Sequence, residues 1–275
     1  MKTLYISDLD GTLLQPDVTL SSKTVAILNE LLEQGMMFTV ATARSIASMK
    51  FILKDVNISL PIILMNGVCV YDLGKDAYMN IEAFPQSSID TLMEIIESNQ
   101  LKGFVYTIKD SVMSTYYEDL STKALYDFYK ERVDLYNKRF KQVDKFRSLS
   151  QEPIIYFTLM DRKEILEPFH QIFEAIPDLN CTFYKDNYSP DIWFLEIFSK
   201  NASKYHAVKN LREQLNFDKV VCFGDNHNDL PMFEASDYKI AVGNAVAQLQ
   251  EKADLIIGKN TEDGVAIWLK ENYRL

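Results

Sequence analysis

Cysteine, histidine and positive charge are all scarce in this chain. Cys69, Cys181 and Cys222 are odd in number, far apart, and none lies in a C-x-x-C. They exclude a disulfide framework and read as buried thiols in a reducing compartment. His170, His206 and His227 have no metal-like spacing and are read as structural or exposed. Lysine and arginine number 29 against 39 aspartates and glutamates, a net charge of −10. That balance excludes an unaided nucleic-acid binder, because cations supply phosphate-backbone affinity. No apolar run approaches the ~20 residues that span a bilayer. Met1–Asp8 meets an acid before a hydrophobic stretch can build, so no signal peptide is expected. The expected setting is cytoplasmic, without membrane or nucleic-acid partners.

What is present is an ordinary globular composition. Apolar residues make up 47% and charged residues 25%, which excludes a disordered, collagen-like or coiled-coil chain. The 275 residues suit one large domain or two smaller ones. Up to residue 72, short apolar runs (Thr3–Ser7, Met37–Thr42, Pro61–Met65) alternate with helical segments at Ser21–Glu33 and Ser45–Lys54. Nearly all-apolar strands separated by helices predict a parallel sheet covered on both faces.

The rhythm changes between about Phe84 and Pro190. Aromatics are dense there, and Phe104–Lys109 and Val112–Tyr117 flank a hairpin signal at Asp110-Ser111. Helices are expected at Ser121–Tyr136 and Lys163–Ile176, with strands at Ile154–Met160, Cys181–Lys185 and Asp191–Phe198. From Ala202 the first rhythm returns, with strands at Val220–Phe223, Lys239–Val242 and Asp254–Ile257. The expected fold is α/β. A doubly wound, mainly parallel, Rossmann-like core over residues 1–83 and 191–275 is interrupted by an inserted α+β domain at 84–190.

The chemistry gathers at expected strand ends. Asp8-Leu9-Asp10-Gly11-Thr12-Leu13 follows the first strand directly. In open α/β sheets the C-terminal strand ends form the ligand crevice where strand order reverses, and the first strand is the natural reversal point. Asp10-Gly11 alone could be a plain turn. Three further features change that reading: Thr42 in Ala41-Thr42-Ala43-Arg44, Lys204 at the start of a helix, and Gly224-Asp225-Asn226-His227-Asn228-Asp229 after a later strand. All of them fall on one edge of the expected sheet.

In these four motifs the sequence resembles haloacid dehalogenase superfamily phosphatases of the Cof type, the branch with a large α/β cap. Asn66-Gly67, Ala241-Val242-Gly243-Asn244-Ala245 and Asp263-Gly264-Val265-Ala266 are also typical of that branch. The resemblance covers nearly the whole chain and makes the inserted segment a cap. It implies Asp8 as nucleophile, Asp10 as general acid and base, and Mg²⁺ held by the Asp8 carboxylate, the Asp10 backbone carbonyl and Asp225. Asp229 would assist that ion from behind its direct ligands. Phosphate would be bound by the backbone at Leu9 and Ala43, the Thr42 hydroxyl, Lys204 and Asn228. Arg44 and Asn66 are candidate substrate contacts. A sugar phosphate is the leading substrate on the resemblance alone.

Elementary chemistry supports these roles. A carboxylate attacks phosphorus without first losing a proton, which suits Asp8 to an aspartyl-phosphate intermediate. Asp10 can protonate the leaving oxygen and later deprotonate the attacking water. Two like charges ~4 Å apart repel by about 4 kcal/mol at an effective dielectric near 20, so a phosphate dianion among these acids requires a bridging cation. Hard oxygen donors select Mg²⁺ over zinc.

Some positions have plainer readings. Lys204 in isolation is a solvated helix-start lysine, Asp229 a helix cap, and Arg44 the partner of a surface acid. The family commonly has glycine where Ala43 and Tyr205 stand, which bears on pocket shape. Specificity is expected from cap loops such as Tyr184–Pro190. The reading is a Mg²⁺-dependent phosphomonoester phosphatase, monomer or homodimer, acting on a small phosphorylated metabolite. The alternatives are a phosphomutase of the same superfamily and a non-enzymatic phospho-receiver or sensor. Asp10 argues against a receiver, which gains nothing from a general acid.

Overall fold

A computed structural model describes residues 1–186 and 191–273. The chain divides into two compact units, Met1–Asn80 with Ser203–Leu275, and Ile81–Ala202. In chain order the strands are β1 (Thr3–Ser7), β2 (Met37–Val40), β3 (Ile62–Leu64), β4 (Cys69–Asp72), β5 (Ala77–Ile81), β6 (Gly103–Lys109) and β7 (Val112–Tyr117). They continue with β8 (Phe140–Gln142), β9 (Ile154–Asp161), β10 (Leu179–Lys185), β11 (Trp193–Ser199), β12 (Lys219–Gly224), β13 (Tyr238–Ala241) and β14 (Leu255–Ile256). The α-helices are α1 (Ser22–Glu33), α2 (Ile46–Ile52), α3 (Gln86–Ser98), α4 (Lys123–Tyr136), α5 (Lys163–Glu174), α6 (Lys204–Gln214), α7 (Leu230–Glu234), α8 (Ala247–Lys252) and α9 (Gly264–Asn272).

The first unit is built on a parallel sheet in the order β14-β13-β12-β1-β2. β1 lies at the reversal point, between a strand from each end of the chain. Ser7 pairs with Phe223 on one side and Val40 on the other, so three strands end level. Residue 8, residues 41–42 and residues 224–225 therefore leave the sheet side by side, at the edge where doubly wound folds place their ligands.

Alternation along the strands covers both faces of this sheet. Leu4, Ile6, Val220 and Cys222 pack in one cluster with Ala207, Val208 and Leu211 of α6 and Met232 and Phe233 of α7. Phe223 turns the other way, onto Trp268 of α9. α1 also packs against α9, burying Ile27, Leu28 and Leu31. Both α1 and α6 start on a serine cap. The Ser21 hydroxyl accepts from the Thr24 N–H and the Ser203 hydroxyl from the His206 N–H. The second cap fixes Lys204 as the first residue of α6.

The main sheet is parallel as expected, but the third strand does not extend it as a full member. β3 touches the main sheet through one parallel bridge, Ala41 to Ile63. It pairs antiparallel with β4 in a separate sheet ordered β3-β4-β5. Met65, Asn66 and Gly67 all take positive φ (50°, 56° and 95°), and this left-handed run reverses the chain. A Cβ on Gly67 would lie 2.2 Å from the Ser203 carbonyl oxygen, so the turn abuts the start of α6 only as glycine.

The second unit is a six-stranded sheet in the order β10-β11-β9-β6-β7-β8, antiparallel except for β7 and β8. The sequence reading returned the chain to the core at residue 191. The structure instead keeps β11 in the second unit, between β9 and β10, and moves the division to residue 203. A central antiparallel strand covered on both faces is as apolar as a parallel one, so Trp193–Phe198 carried no mark of its sheet. β4, β5 and β8 have no counterpart in the sequence expectations; they are short, and neither β5 nor β8 contains a fully buried residue. Residues 187–190 of the expected specificity loop lie outside the described residues. Among the described residues no helix is long and apolar enough to cross a membrane.

The β6–β7 hairpin turns on Asp110 and Ser111, both at positive φ (51° and 60°), as a two-residue type I′ turn requires. Replacing this pair by Asn-Gly is expected to stabilise the protein by about 1 kcal/mol by removing the left-handed penalty. Urea unfolding followed by circular dichroism measures it.

Candidate active site

The end of β1 delivers Asp8 into the interior. Asp8 is 4% exposed, and its N–H donates to the Phe223 carbonyl at 2.9 Å. The chain then winds tightly, with the N–H groups of Thr12, Leu13 and Leu14 all donating to the Leu9 carbonyl at 3.2, 2.9 and 2.9 Å. Leu9 itself is fully buried. Gly11 sits at φ +79°, and a Cβ there would meet Asp225 Oδ2 at 2.3 Å. The glycine that follows the two acids therefore makes room for the third. Thr12 then donates its hydroxyl to Asp225 Oδ1 at 2.8 Å.

Lys204 joins these segments. Its ammonium is 1% exposed and donates to Asp8 Oδ1 at 2.6 Å and Asp229 Oδ1 at 2.7 Å. The other Asp229 oxygen accepts the N–H groups of Asp225 (2.9 Å) and Asn226 (3.1 Å), capping the turn after β12. The plainer readings change: Lys204 opens α6 but is buried rather than solvated, and Asp229 caps the turn at 226–229 rather than the Leu230 helix, to whose backbone its side chain makes no cap bond.

Asp8, Asp225 and Asp229 each bring one oxygen within 4.8 Å of the others. One buried ammonium faces three carboxylates, and the proton affinities show the imbalance. Burial, then the Asp229 charge, pushes the Asp8 carboxyl well above the usual range, against the opposing pull of Lys204. Burial and Asp229 raise Asp225 to about 7. Burial pulls the Lys204 ammonium down, but Asp229 and Asp8 outweigh it and hold it above its ordinary value. A hard divalent cation among these oxygens fits both the donor set and the charge.

The remaining expected residues lie around this centre. Thr42 is fully buried; its hydroxyl oxygen accepts the Arg44 N–H at 3.1 Å, and its carbonyl accepts the Asn66 N–H at 3.0 Å. Ala43 stands half-buried between Thr42 and Arg44. The Asn228 amide donates to Asn66 Oδ1 at 3.3 Å, which joins the turn after β3 to the fourth motif. The Asp10 side chain is not part of the acidic group. It is 46% exposed and is gripped by Arg44 through Nη2 to Oδ1 at 2.6 Å and Nε to Oδ2 at 2.7 Å. Tyr205 packs against the hydrophobic core. His170 stacks on Phe183, His206 meets the Ser203 cap, and the His227 N–H is capped by Asn226.

Two contributors had no role assigned from sequence. One is the Thr12 hydroxyl on Asp225. The other is Asn244, whose amide donates to the Gly11 carbonyl at 2.7 Å while its Oδ1 accepts the Asn260 N–H at 3.0 Å. Asn244 braces the loop that follows Asp8. Its only sequence signal was membership of Ala241-Val242-Gly243-Asn244-Ala245.

Lys204→Met keeps the length of the side chain and removes the charge between two buried carboxylates. Breaking a buried pair in this way is expected to cost about 3–5 kcal/mol at pH 7.5. The loss is expected to shrink at pH 5, where Asp8, whose proton affinity burial already raises, takes up a proton. Urea denaturation at the two pH values measures both.

Comparison with known proteins agrees with this geometry. The haloacid dehalogenase-like hydrolase family matches residues 5–269. The chain is 24% identical to 5-amino-6-(5-phospho-D-ribitylamino)uracil phosphatase YitU of Bacillus subtilis, covering 99% of this chain and 98% of that one. It is 25% identical to pyridoxal phosphate phosphatase YbhA of Escherichia coli, over 94% of each. Among solved structures, TM0651 of Thermotoga maritima superposes with a TM-score of 0.80 at 26% identity, covering 100% of this chain and 98% of that one. A haloacid dehalogenase-like hydrolase of Bacteroides thetaiotaomicron superposes at 0.82 with 21% identity, over 99% and 100%. With its Asp8 loop, Thr42, Lys204 and acidic turn meeting at one sheet edge, the chain belongs to the haloacid dehalogenase-like hydrolases and is a phosphatase of that family.

Proposed function

We propose that this phosphatase is Mg²⁺-dependent and hydrolyses a small phosphorylated metabolite through an aspartyl-phosphate at Asp8. The observation that carries the reading is the buried Asp8 carboxylate, bonded to Lys204 and gathered with Asp225 and Asp229. Lys204 and a bound cation would hold Asp8 ionised against its raised proton affinity, and the ionised carboxylate is a nucleophile toward phosphorus. Asp8, Asp225 and the Asp10 backbone carbonyl would hold Mg²⁺. Asp229 supports them from behind, since Lys204 and two backbone N–H groups already engage its oxygens. When bound, the ion would neutralise charge on the phosphoryl group and orient it.

The residues of the chain perform the transfer. An Asp8 oxygen forms a bond to phosphorus as the bond to the ester oxygen breaks, and protonated Asp10 gives its proton to that leaving oxygen. Water then attacks phosphorus, the Asp10 carboxylate takes its proton, and the Asp8–phosphorus bond breaks. Asp10 ends the cycle protonated, as it began, and the products are an alcohol and inorganic phosphate. Lys204, the Thr42 hydroxyl, the backbone N–H groups at Leu9 and Ala43, and Asn228 hold the phosphoryl oxygens.

The named relatives act on a phosphorylated ribitylaminouracil and on pyridoxal phosphate. That supports a small phosphorylated metabolite as the substrate class, with sugar phosphates first to be tested and the inserted unit as the cap that selects the leaving group. The nearest alternative is a phosphomutase, which would keep the phosphoryl group on enzyme or sugar. Release of free phosphate from hexose phosphates separates the two.

Asp8→Ala is expected to abolish turnover of p-nitrophenyl phosphate, and retained activity would overturn the mechanism. Chelation should silence the enzyme, with Mg²⁺ restoring it. A pH dependence follows from Asp225, raised to about 7 without metal. Between its ordinary value and about 7 the folded chain keeps a proton that the unfolded chain has lost, so metal-free stability falls as pH rises through that window. Mg²⁺ binds the deprotonated form. The rise in melting temperature on adding Mg²⁺ is therefore expected to be larger at pH 8 than at pH 5.5, as measured by thermal unfolding.

A further inference from the structure

We propose that Arg44 is the positioning residue of the acid–base group Asp10, an assignment that rests on the phosphatase mechanism above. Its sequence position left it between a substrate anion and a surface acid; the structure pairs it with Asp10. Nε donates to Oδ2 at 2.7 Å and Nη2 to Oδ1 at 2.6 Å, so the guanidinium engages both carboxylate oxygens. Two parallel bonds fix the plane of a carboxylate, which one point charge does not.

Both ends of the bridge are rooted. The Arg44 N–H donates to the Thr42 hydroxyl oxygen at 3.1 Å, and its carbonyl accepts the Met65 N–H at 3.1 Å. Asp10 projects from the turn that closes on the Leu9 carbonyl. Between these roots the Asp10 side chain is 46% exposed, while that of Arg44 is 20% exposed. A carboxylate so open to water would otherwise sample several rotamers. An exposed pair adds little to stability, so the fork acts on geometry.

Geometry is what Asp10 requires. The same carboxyl must reach the leaving oxygen in the first step and the attacking water in the second, each within hydrogen-bond distance. Arg44 aims it and ties that aim to the Thr42 turn that binds the phosphoryl group. Acid–base group and phosphoryl cradle then keep one register, although 34 residues separate Arg44 from Asp10.

The test uses two esters of different leaving group. p-Nitrophenolate departs from p-nitrophenyl phosphate with little need of a proton, whereas phenolate from phenyl phosphate needs one more. Arg44→Gln and Arg44→Lys are both expected to lower kcat/KM for phenyl phosphate by about 10²-fold, and for p-nitrophenyl phosphate by about tenfold less. Lysine should not rescue, because it keeps the charge and loses the fork. In an Asp10→Asn background the Arg44→Gln change should have no further effect on either ester. Both variants should melt at the wild-type temperature.

Equal losses with the two esters would overturn the proposal. So would a loss that persists beside Asp10→Asn, wild-type rates in Arg44→Lys, or no loss at all. The first three outcomes place Arg44 on the substrate. If Asp10→Asn alone hydrolyses phenyl phosphate at the wild-type rate, the acid–base role of Asp10 fails, and the positioning role fails with it. Asp8→Ala tests the nucleophile separately from both.

Discussion

The buried ammonium of Lys204 is the constraint on which the rest of the first unit depends. A lysine 1% exposed is tolerable only with its charge compensated, and Asp8 and Asp229 compensate it. Those two acids come from the end of β1 and the turn after β12, and the lysine from the start of α6. The three segments are remote in sequence, with 196 positions separating Lys204 from Asp8 and 25 separating it from Asp229. Their meeting requires β1 and β12 to be neighbours in the observed register. The parallel order around β1 and the Ser203 cap at the root of α6 serve that meeting.

The same pair leaves a residual imbalance that function can use. Three carboxylates share one ammonium, and burial makes the mismatch worse. A chain with a net charge of −10 could spread its acids over solvent; here three of them are concentrated instead. Stability alone would favour fewer acids in such a place, which is the ordinary signature of a functional site. Asp10 is handled differently. It stays at the surface, held by a guanidinium rather than by the buried lysine, and so remains within reach of water, as the proposed proton exchange would require.

Much of this was legible in the sequence. Asp8, Thr42, Lys204, Asp225 and Asp229 each follow a recognisable strand end or open a helix, and the structure gathers them at one edge. The alternation of apolar strands and helices gave the doubly wound order, with β1 at its reversal point. The division of the chain was less legible. Trp193–Ser199 is an apolar run of the kind found in the core, and nothing local shows that its partners are β9 and β10. β3 was expected to extend the parallel sheet. A three-residue left-handed turn at Met65–Gly67 sends the chain back into β4, and such backbone angles at a methionine are not written in residue type.

Residue types and their order determined the chemistry. Two acids beside glycine after a strand, a threonine, a lysine and a second acidic turn admit few reactions other than phosphoryl transfer. What only the tertiary structure decided is which donor answers which acceptor. Asp229 spends one oxygen on Lys204 and the other on the backbone of its own turn. Thr12 and Asn244 turn out to brace the loop after Asp8, and Arg44 pairs with Asp10. Each of these pairings depends on angstrom-scale distances between segments remote in sequence, and those distances are set by sheet register and helix packing rather than by any local preference of the residues involved.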